Sequence, residues 1–308
     1  MSVVSRVARA QAYPTRPVRI VVPFPAGGLS DIVTRLVGQW LSERLGTAFV
    51  IENRPGASSN LGTEVVVNAP PDGYTLFNLS SANATNATMY ERLNFNFIRD
   101  IAPVASLVRF PYVIEVNPSV SVKTVPELIA YAKANPGKLS IASSGTGTPA
   151  HIAGELFKLM TGIDMVHVPY RGAALALTDL IGGQVQVMID NMAASLEHIR
   201  AGRLRALAVT TATRLEWLPD LPTVGEFVPG FEASSMNGVG APKRTPTEIV
   251  DKLNTEINTA LADPKIKARI ADLGLTPLVG SPADLGQLIA DETEKWGKVI
   301  RTANIKAD

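Results

Sequence analysis

Cysteine is absent from this chain of 308 residues, and histidine occurs only three times. Without cysteine there can be no disulfide, no thiolate nucleophile, no cysteine-based zinc site and no lipid-modified N-terminal cysteine. The three imidazoles, at His151, His167 and His198, are too far apart in the sequence to form a local metal-binding motif. We therefore expect neither a metal nor another cofactor.

Excess charge and long apolar runs are also lacking. The 29 basic and 28 acidic residues leave a formal net charge of +1, and no basic run could follow a phosphate backbone. No stretch reaches the about 20 apolar residues that a membrane-spanning helix needs. We therefore expect no nucleic-acid partner and no direct insertion into a membrane.

Two glycine-bearing turns are the most informative segments that the chain does contain. They cover residues 23–31 (PFPAGGLSD) and 143–149 (SSGTGTP), and each follows an apolar run and opens an amphipathic stretch. Glycine lets the backbone approach a ligand, and the first amides of a helix are unpaired donors at the positive end of its dipole. Neither turn contains lysine or arginine. The pair therefore indicates a site where amides and hydroxyls hold a small anion.

Strand and helix patterns alternate along the chain. Residues 18–22 predict a buried strand, and apolar residues from 32 to 41 recur at helical spacing after it. Further strands are predicted at 49–51, 74–79, 139–142, 165–168, 185–189 and 204–209, and further helices at 125–134, 150–160, 173–181, 193–200 and 284–303. This alternation predicts a mostly parallel α/β sheet covered on both faces, and the length predicts two such units.

The second unit is flanked by two extended segments, residues 108–116 and 231–239. In the simplest architecture both cross between lobes, so that lobe 1 is discontinuous (13–112 and 236–308) and lobe 2 comprises 113–235. Two sequential domains with a helical appendix are the alternative.

The first twelve residues have the features of an incomplete export signal. Residues 9–12 (RAQA) resemble a signal-peptidase site, but no apolar segment of about 7 to 15 residues precedes them. We interpret residues 1–12 as a clipped or misassigned leader. A plain disordered N-terminus is the alternative.

Candidate ligand contacts follow the predicted strands, because α/β sheets bind ligands beyond the carboxyl ends of their strands. The positions concerned are 26–30, 80–83, 143–148 and 190–191, and all of them are small or polar. They offer no convergent nucleophile, base and orienting group, so we expect recognition without catalysis.

Several of these residues also have a purely structural interpretation. Ser30 and Asp31 could cap the first helix, with Asp31 paired to Arg35 four residues on, and Asp190 with Asn191 could cap another helix. His151 is either a partly buried helix residue or a ligand contact. Residues 145–150 also match G-x-G-x-x-A, but no acidic residue ends the following strand as a dinucleotide site requires.

The sequence resembles the Bug-type solute receptors, the periplasmic substrate-binding proteins of tripartite tricarboxylate transporters. Residues 13–31 (YPTRPVRIVVPFPAGGLSD) look like the start of the mature receptors. Further matching blocks are 52–56 (ENRPG), 71–76 (PDGYTL), 136–139 (PGKL), 167–172 (HVPYRG), 206–210 (ALAVT) and 221–224 (LPTV). The resemblance thus covers nearly the whole chain from Tyr13.

The resemblance implies a two-lobed periplasmic-binding-protein (Venus-flytrap) α/β fold whose lobes are joined by two crossing strands. It implies a non-catalytic periplasmic receptor that closes on a small carboxylate, whether an organic acid, an aromatic acid or an acidic amino acid. The receptor would then dock on the membrane subunits of the transporter. The implied ligand-binding residues, with Asp31 and His151 included as candidates, are Ala26, Gly27, Gly28, Ser30, Asp31, Ser80, Ser143, Gly145, Thr146, Gly147, Thr148, His151, Arg171, Asp190 and Asn191.

The chain departs from the family pattern near the second crossing segment. Relatives commonly show Trp-x-Gly there, whereas this chain has Met236, Asn237 and Gly238. If this position faces the cleft, Met236 would form a softer wall and change the preferred solute. Two other functions stay open: an α/β enzyme that acts on a small carboxylate through His151 and Ser143, and a cytoplasmic sensor that reuses the receptor fold.

Overall fold

The computed structural model describes residues 13–306, so the expected leader at residues 1–12 lies outside the described part. The strands are β1 (Val18–Val22), β2 (Phe49–Asn53), β3 (Thr75–Ser80), β4 (Ile101–Val116), β5 (Ser140–Ser143), β6 (Val166–Pro169), β7 (Val187–Asn191), β8 (Arg205–Val209), β9 (Ser234–Pro242) and β10 (Thr276–Pro277). The α-helices are α1 (Leu29–Leu45), α2 (Asn60–Val67), α3 (Ser81–Met89), α4 (Phe97–Asp100), α5 (Val125–Ala134), α6 (Pro149–Thr161), α7 (Ala173–Ile181), α8 (Met192–Arg200), α9 (Thr247–Ala262), α10 (Pro264–Asp272) and α11 (Pro282–Thr302).

Local sequence explains the two helices, α1 and α6, that follow the glycine turns. In α1, Val33, Val37 and Leu41 are buried at helical spacing, and Gly46 ends the helix in the left-handed conformation. In α6, Pro149 occupies the first helical position, where its missing N–H costs no hydrogen bond. Both predicted helices are confirmed, within a few residues at each end.

The sheet is mixed, in contrast to the expected mostly parallel arrangement. The strand order is β2-β1-β3-β9-β4-β7-β5-β6, with β8 and β10 also paired to β4. The pairs of β1 with β2 and β3, and of β5 with β6 and β7, are parallel. Every pair that involves β4 or β9 is antiparallel, because these two strands run back through the middle of the sheet.

Strand β4 belongs to both lobes of a two-lobed α/β fold. Its residues from Ile101 to Pro111 pair with β9, whereas Tyr112 to Val116 pair with β7 and β8. The chain returns at the start of β9, where the amide of Ala233 donates to the carbonyl of Thr210 (2.8 Å). These two crossings fall inside the segments that the sequence indicated, although β4 begins seven residues earlier than expected and β9 three residues later.

The core is divided between the lobes, and α11 contributes to both. Val18 and Ile20 of β1 pack with α1 and α9 in one hydrophobic cluster. Phe157 of α6 belongs to a second cluster, in lobe 2, which also contains Trp296 and Ile300 from the last turns of α11. The carboxyl end of α11 therefore packs with Phe157 of α6, while Leu285 near its start packs with Phe77 of β3.

Helix α3 has no apolar periodicity, which is why the sequence did not predict it. Its residues read SANATNATM, and it is held through buried polar contacts instead. The side-chain amide of Asn83 donates to Thr63 Oγ1 (3.0 Å), and that of Asn86 donates to Asn60 Oδ1 (2.8 Å). Because these partners lie on α2, only the tertiary fold makes the helix stable.

Candidate functional site

The first glycine turn is closed by Asp31. Gly27 adopts φ +82°, a conformation that glycine tolerates, and its amide donates to Asp31 Oδ2 (2.9 Å). Asp31 Oδ2 also accepts from Arg35 Nε (2.9 Å), and Oδ1 accepts from the side-chain amide of Asn53 (2.9 Å). Burial raises the pKa of Asp31, but these hydrogen bonds outweigh it and the net shift is downward. The carboxylate therefore points back into the turn.

Helix α1 starts without a side-chain cap, as far as the described residues show. Its N-cap residue is Gly28, and the amide of Ile32 is the first to bond back, to the carbonyl of Gly28 (2.9 Å). The amides of residues 29–31 thus precede the first intrahelical bond. They lie at the positive end of a helix of 17 residues.

The second glycine turn has the same construction. Gly147 adopts φ +74°, and its amide donates to Nδ1 of His151 (2.9 Å), four residues on, as Gly27 does to Asp31. Here the N-cap is Thr148, whose hydroxyl accepts from the amide of His151 (3.3 Å). The amides of Gly27 and Gly147 are both used inside their turns, and contact of these two residues with a ligand stays a prediction.

Two histidines lie behind the second turn. The rings of His151 and His167 stack with 3.8 Å between centroids and 9° between planes. Nε2 of His167 lies 2.7 Å from Oγ of Ser143, and Ser143 Oγ accepts from the amide of Gly145 (3.3 Å). The hydroxyl that an enzyme would use is thus paired with His167 and not with His151, the base that the sequence suggests.

Charges around this pair determine its protonation. Burial, followed by the neighbouring His151, lowers the pKa of His167 to about 4. Burial raises the pKa of Glu155, but the nearby His151 and Lys158 outweigh it and bring that pKa to about 2. Glu155 Oε1 lies 3.7 Å from Nε2 of His151 and 2.8 Å from Nζ of Lys158. At neutral pH, His167 is therefore neutral and Glu155 is ionised.

Three buried polar side chains lie at the carboxyl end of β3. Ser80 is the last residue of β3 and pairs with Asn237 of β9, and Asn78 precedes it on the same face of the strand. Within residues 13–306, both amide atoms of Asn78, Oγ of Ser80 and Oδ1 of Asn237 lack a hydrogen-bond partner. Val21 pairs with Phe77 in the parallel neighbour β1, so this polar patch lies beside the start of the first turn.

Met236 does not have the role that the sequence analysis considered for it. It is 2% exposed and packs with Phe77, Phe97 and Leu285 inside lobe 1. Its side chain therefore belongs to the core, and it is the neighbouring Asn237 that joins the polar patch.

Asp190 and Asn191 end strand β7 rather than follow it, because the pairing with β4 continues to Asn191 and Tyr112. Ser143 likewise ends β5, paired with Pro169. Asn191 caps α8 by accepting from the amide of Ala193 (3.1 Å). Asp190 is 4% exposed, and burial raises its pKa to about 6 against a hydrogen bond from the amide of Asn191.

Glu115 is a second buried acid near Asp190, and no sequence pattern indicates it. Oε1 of Glu115 accepts from the hydroxyl of Ser195 (2.7 Å). Burial raises the pKa of Glu115 to about 8, with the hydrogen bond from Ser195 acting in the opposite direction and the charge of Asp190 in the same one. Glu115 is therefore mainly protonated at neutral pH.

Arg171 is exposed, and its neighbours in the chain attach it to the second turn. The amide of Tyr170 donates to the carbonyl of Ser143 (3.0 Å), and the amide of Gly172 donates to the carbonyl of Ser144 (3.2 Å). The fold thus brings Arg171 beside the second turn although 22 or more residues separate it from 143–149.

Contact between α3 and the second turn was not anticipated. A Cβ added at Gly147 would overlap the thioether methyl of Met89, the last residue of α3. Met89 is 9% exposed and packs in the same cluster as residues of lobe 2. A methionine inside a polar helix was the only signal of this contact in the sequence.

The structure thus places the predicted residues in two groups. Ala26, Gly27, Gly28, Ser30 and Asp31 form the first turn, with Ser80 beside it. The second group consists of the second turn, the end of β7 and Arg171, which lie side by side. Among residues 13–306, no helix is long and apolar enough to cross a bilayer, and no three acidic or histidine side chains are grouped as a metal site would need.

A two-lobed α/β fold with a glycine turn in each lobe is that of a solute-binding protein. The family model of the tripartite tricarboxylate transporter family receptor matches residues 33–305. The chain belongs to this receptor family. Protein BugT of Bordetella pertussis is 38% identical over 301 residues, which cover 96% of this chain and 92% of BugT.

Solved structures agree with this assignment. R. palustris Rpa4515 with adipate is 41% identical, has a TM-score of 0.83 and covers 96% of this chain and 99% of its own. MatC from Rhodopseudomonas palustris with bound malate is 31% identical, with a TM-score of 0.77 and coverage of 94% and 100%. The predicted two-lobed periplasmic-binding-protein fold is confirmed by these matches.

Proposed function

We propose that this protein is a non-catalytic periplasmic receptor that binds a small carboxylate between its lobes and delivers it to the membrane subunits of a tripartite tricarboxylate-type transporter. Membership of the receptor family supports the class. Two relatives hold adipate and malate, which supports a dicarboxylate as the first ligand to test.

One observation carries the proposal for this chain itself. Helix α1 starts at Gly28 with no side-chain cap in the described structure, while the nearby carboxylate of Asp31 points back to Gly27 and Arg35. The free amides of the first helical turn are therefore not occupied by a carboxylate of the protein. A ligand carboxylate is the partner that fits such a helix N-terminus.

We assign the predicted residues to two roles. Ala26, Gly28 and Ser30 on the first turn, and Thr146 on the second, are the ligand contacts. Gly27 and Asp31 support the first turn, and the supporting residues of the second turn are Ser143, Gly145, Gly147, Thr148 and His151.

The polar patch of Asn78, Ser80 and Asn237 is assigned to the remainder of the ligand. Buried polar atoms normally have hydrogen-bond partners, and the four atoms of this patch that lack one in the described structure lie beside the first turn. A ligand hydroxyl, a second carboxylate or a bridging water would supply partners. Arg171, Asp190 and Asn191 line the side of lobe 2.

Closure of the lobes is the conformational step. We place the lobe boundaries at 13–112 with 236–308 and at 113–235, where β4 exchanges β9 for β7 as its partner. A ligand stabilises the closed form only if it binds that form more tightly than the open one. The closed form would then be recognised by the membrane subunits.

The experiment compares carboxylate binding by the wild-type protein and Gly28→Asp. Thermal shift and calorimetry with adipate, malate, an aromatic acid and an acidic amino acid identify ligands of the wild type. The backbone of Gly28 (φ −74°, ψ 163°) accepts any residue, so an aspartate there can cap α1 with its own carboxylate. We expect a melting temperature equal to or above that of wild type, with ligand binding abolished.

Gly28→Ala is the matched control, since it adds a Cβ without an acceptor. It should bind more tightly than Gly28→Asp. Equal binding by Gly28→Asp and the wild type would disprove the role of the α1 amides. The absence of binding to every acid in the panel would disprove a carboxylate receptor, and release of a reaction product would support the enzyme alternative.

A further inference from the structure

The stacked histidines behind the second turn contact both of its ends. His151 accepts through Nδ1 from the amide of Gly147 (2.9 Å), and His167 Nε2 lies 2.7 Å from the hydroxyl of Ser143. The rings are 3.8 Å apart and nearly parallel, so these two contacts form one unit. The unit joins the residue that ends β5 to the residue that precedes the N-cap of α6.

His151 can serve the turn in only one protonation state. Because Nδ1 accepts a hydrogen bond, the proton of the neutral ring is on Nε2, which faces Glu155 Oε1 at 3.7 Å. We assign this tautomer from the contacts. A second proton on Nδ1 would place two N–H donors against each other, and the hydrogen bond from Gly147 would be lost.

Groups from three elements face the histidine pair. Glu155 and Lys158 lie on α6 with His151, His167 lies on β6, and Ser143 ends β5. Glu155 is shared between His151 and Lys158, and a charge on one ring lies 3.8 Å from the other ring. Burial and the neighbouring His151 lower the pKa of His167, which keeps it neutral beside its partner.

The first turn gives an independent comparison. There the acceptor four residues after the glycine is Asp31, which is held ionised by Arg35 and does not need a particular tautomer. The two turns are otherwise built alike, with glycines at φ +82° and +74°. A histidine in this place makes the second turn dependent on both the tautomer and the protonation of its acceptor.

On the basis of the proposed function, we propose that His151 and His167 are positioning residues of the carboxylate site. The neutral His151, aligned by its stack with His167, holds Gly147 and thereby the second turn in the shape that receives the ligand. A proton taken up on Nδ1 of His151 breaks the hydrogen bond from the amide of Gly147, and the turn is then free to change its conformation.

Affinity for adipate and malate, measured by calorimetry at about pH 7.5, is the first test. His151→Leu fills the space without an acceptor, and we expect it to weaken binding about tenfold or more. His151→Asn places Oδ1 near the position of Nδ1, and we expect it to recover most of the affinity. His198→Asn, on α8, is the matched control from the third histidine and should bind as the wild type does.

The second test needs no ligand. In NMR spectra of the free protein, the Gly147 amide resonance should follow the titration of the His151 ring, and the amide should exchange faster once the ring is protonated. In His151→Asn this pH response should be absent, and His198→Asn should retain it. Because this test reads the turn directly, it decides the proposal even if no acid of the panel binds, which would disprove the proposed function alone.

Two results would overturn the positioning role. One is a Gly147 amide that is unchanged in His151→Leu or insensitive to the ring titration. The other is a folded His151→Leu protein, with a melting temperature near that of wild type, that binds adipate or malate as tightly as the wild type. If His151→Leu does not fold, His151→Asn and the amide titration still give the answer.

Discussion

The backbone amide of Gly27 donates a hydrogen bond to the carboxylate of Asp31 four residues later, at 2.9 Å. Gly147 and His151 repeat this relationship in the other lobe, also at 2.9 Å. In both turns the glycine has positive φ and immediately precedes the N-cap of a helix. Each candidate half-site thus consists of a helix start whose preceding turn is held by a side chain of the first helical turn.

Replacement of Asp31 should destabilise the protein and impair binding together. In Asp31→Ala, the donors of Gly27, Arg35 and Asn53 lose their acceptor, and we expect a loss of about 1 to 3 kcal/mol in the free energy of unfolding. Urea denaturation measures this loss. Glu197→Ala, which removes one exposed ion pair with Arg200, should change stability by less than about 0.5 kcal/mol. Equal effects of the two substitutions would contradict the role of Asp31 in holding the first turn.

Gly147→Ala should show the contact between α3 and the second turn. The substitution strains a residue at φ +74° and displaces the flexible end of Met89, so we expect a cost slightly above the about 1 kcal/mol of the backbone strain alone. Gly162→Ala, at φ +65° with no atom within 4 Å of the new Cβ, measures the strain without the collision. Met89→Ala in the Gly147→Ala background should remove the difference between the two. A difference that persists in the double variant would place its origin elsewhere.

Glu115 should make the protein less stable as pH rises. Its folded pKa of about 8 lies above the ordinary glutamate value of 4.5, so its contribution is complete below 4.5 and is lost as pH rises through about 8. His167 acts in the opposite direction, with a folded pKa of about 4 against 6.5, and its contribution is lost only as pH falls below 6.5. Glu115 therefore contributes to a decline above pH 6.5, and its share of the slope cannot exceed about 1.4 kcal/mol per pH unit.

Urea denaturation midpoints measured above pH 6.5 report this decline in stability. Glu115→Gln should flatten the decline, because a glutamine side chain does not ionise when the protein unfolds. Glu197→Gln, on the surface, should leave the decline as in the wild type. A decline of equal slope in Glu115→Gln would assign the pH dependence to other groups.

Asn78 should lower the stability of the ligand-free protein while it contributes to carboxylate binding. Both atoms of its side-chain amide lack partners in the described structure, so Asn78→Leu should stabilise the ligand-free protein by up to about 1 to 3 kcal/mol while it weakens carboxylate binding. Asn86→Leu is the matched control, because Asn86 donates to Ser58 O and Asn60 Oδ1 and its loss should be destabilising. Unchanged affinity in Asn78→Leu would remove the polar patch from the site.

Much of the fold was predictable because local sequence patterns determine its strands and helices. The strands after which both turns begin, and the helices α1 and α6, follow from apolar periodicity, proline and glycine. Strand ends were less accurate: Ser143, Asp190 and Asn191 proved to belong to β5 and β7, because pairing with neighbouring strands extends them. The strand partners of β4 and β9 in the middle of the sheet could not be predicted, since they lie far away in the chain.

The sequence by itself determined the two glycine turns, the absence of cationic side chains within them and the helices that they open, because glycine conformation and helix dipoles are local properties. Tertiary structure alone decided what each turn residue does. Asn53 holds Asp31 in the first turn, and His167 stacks on His151 in the second. Met89 reaches Gly147 from a helix without apolar periodicity. These contacts join residues distant in sequence, and only the packed lobes bring them within hydrogen-bond or van der Waals distance.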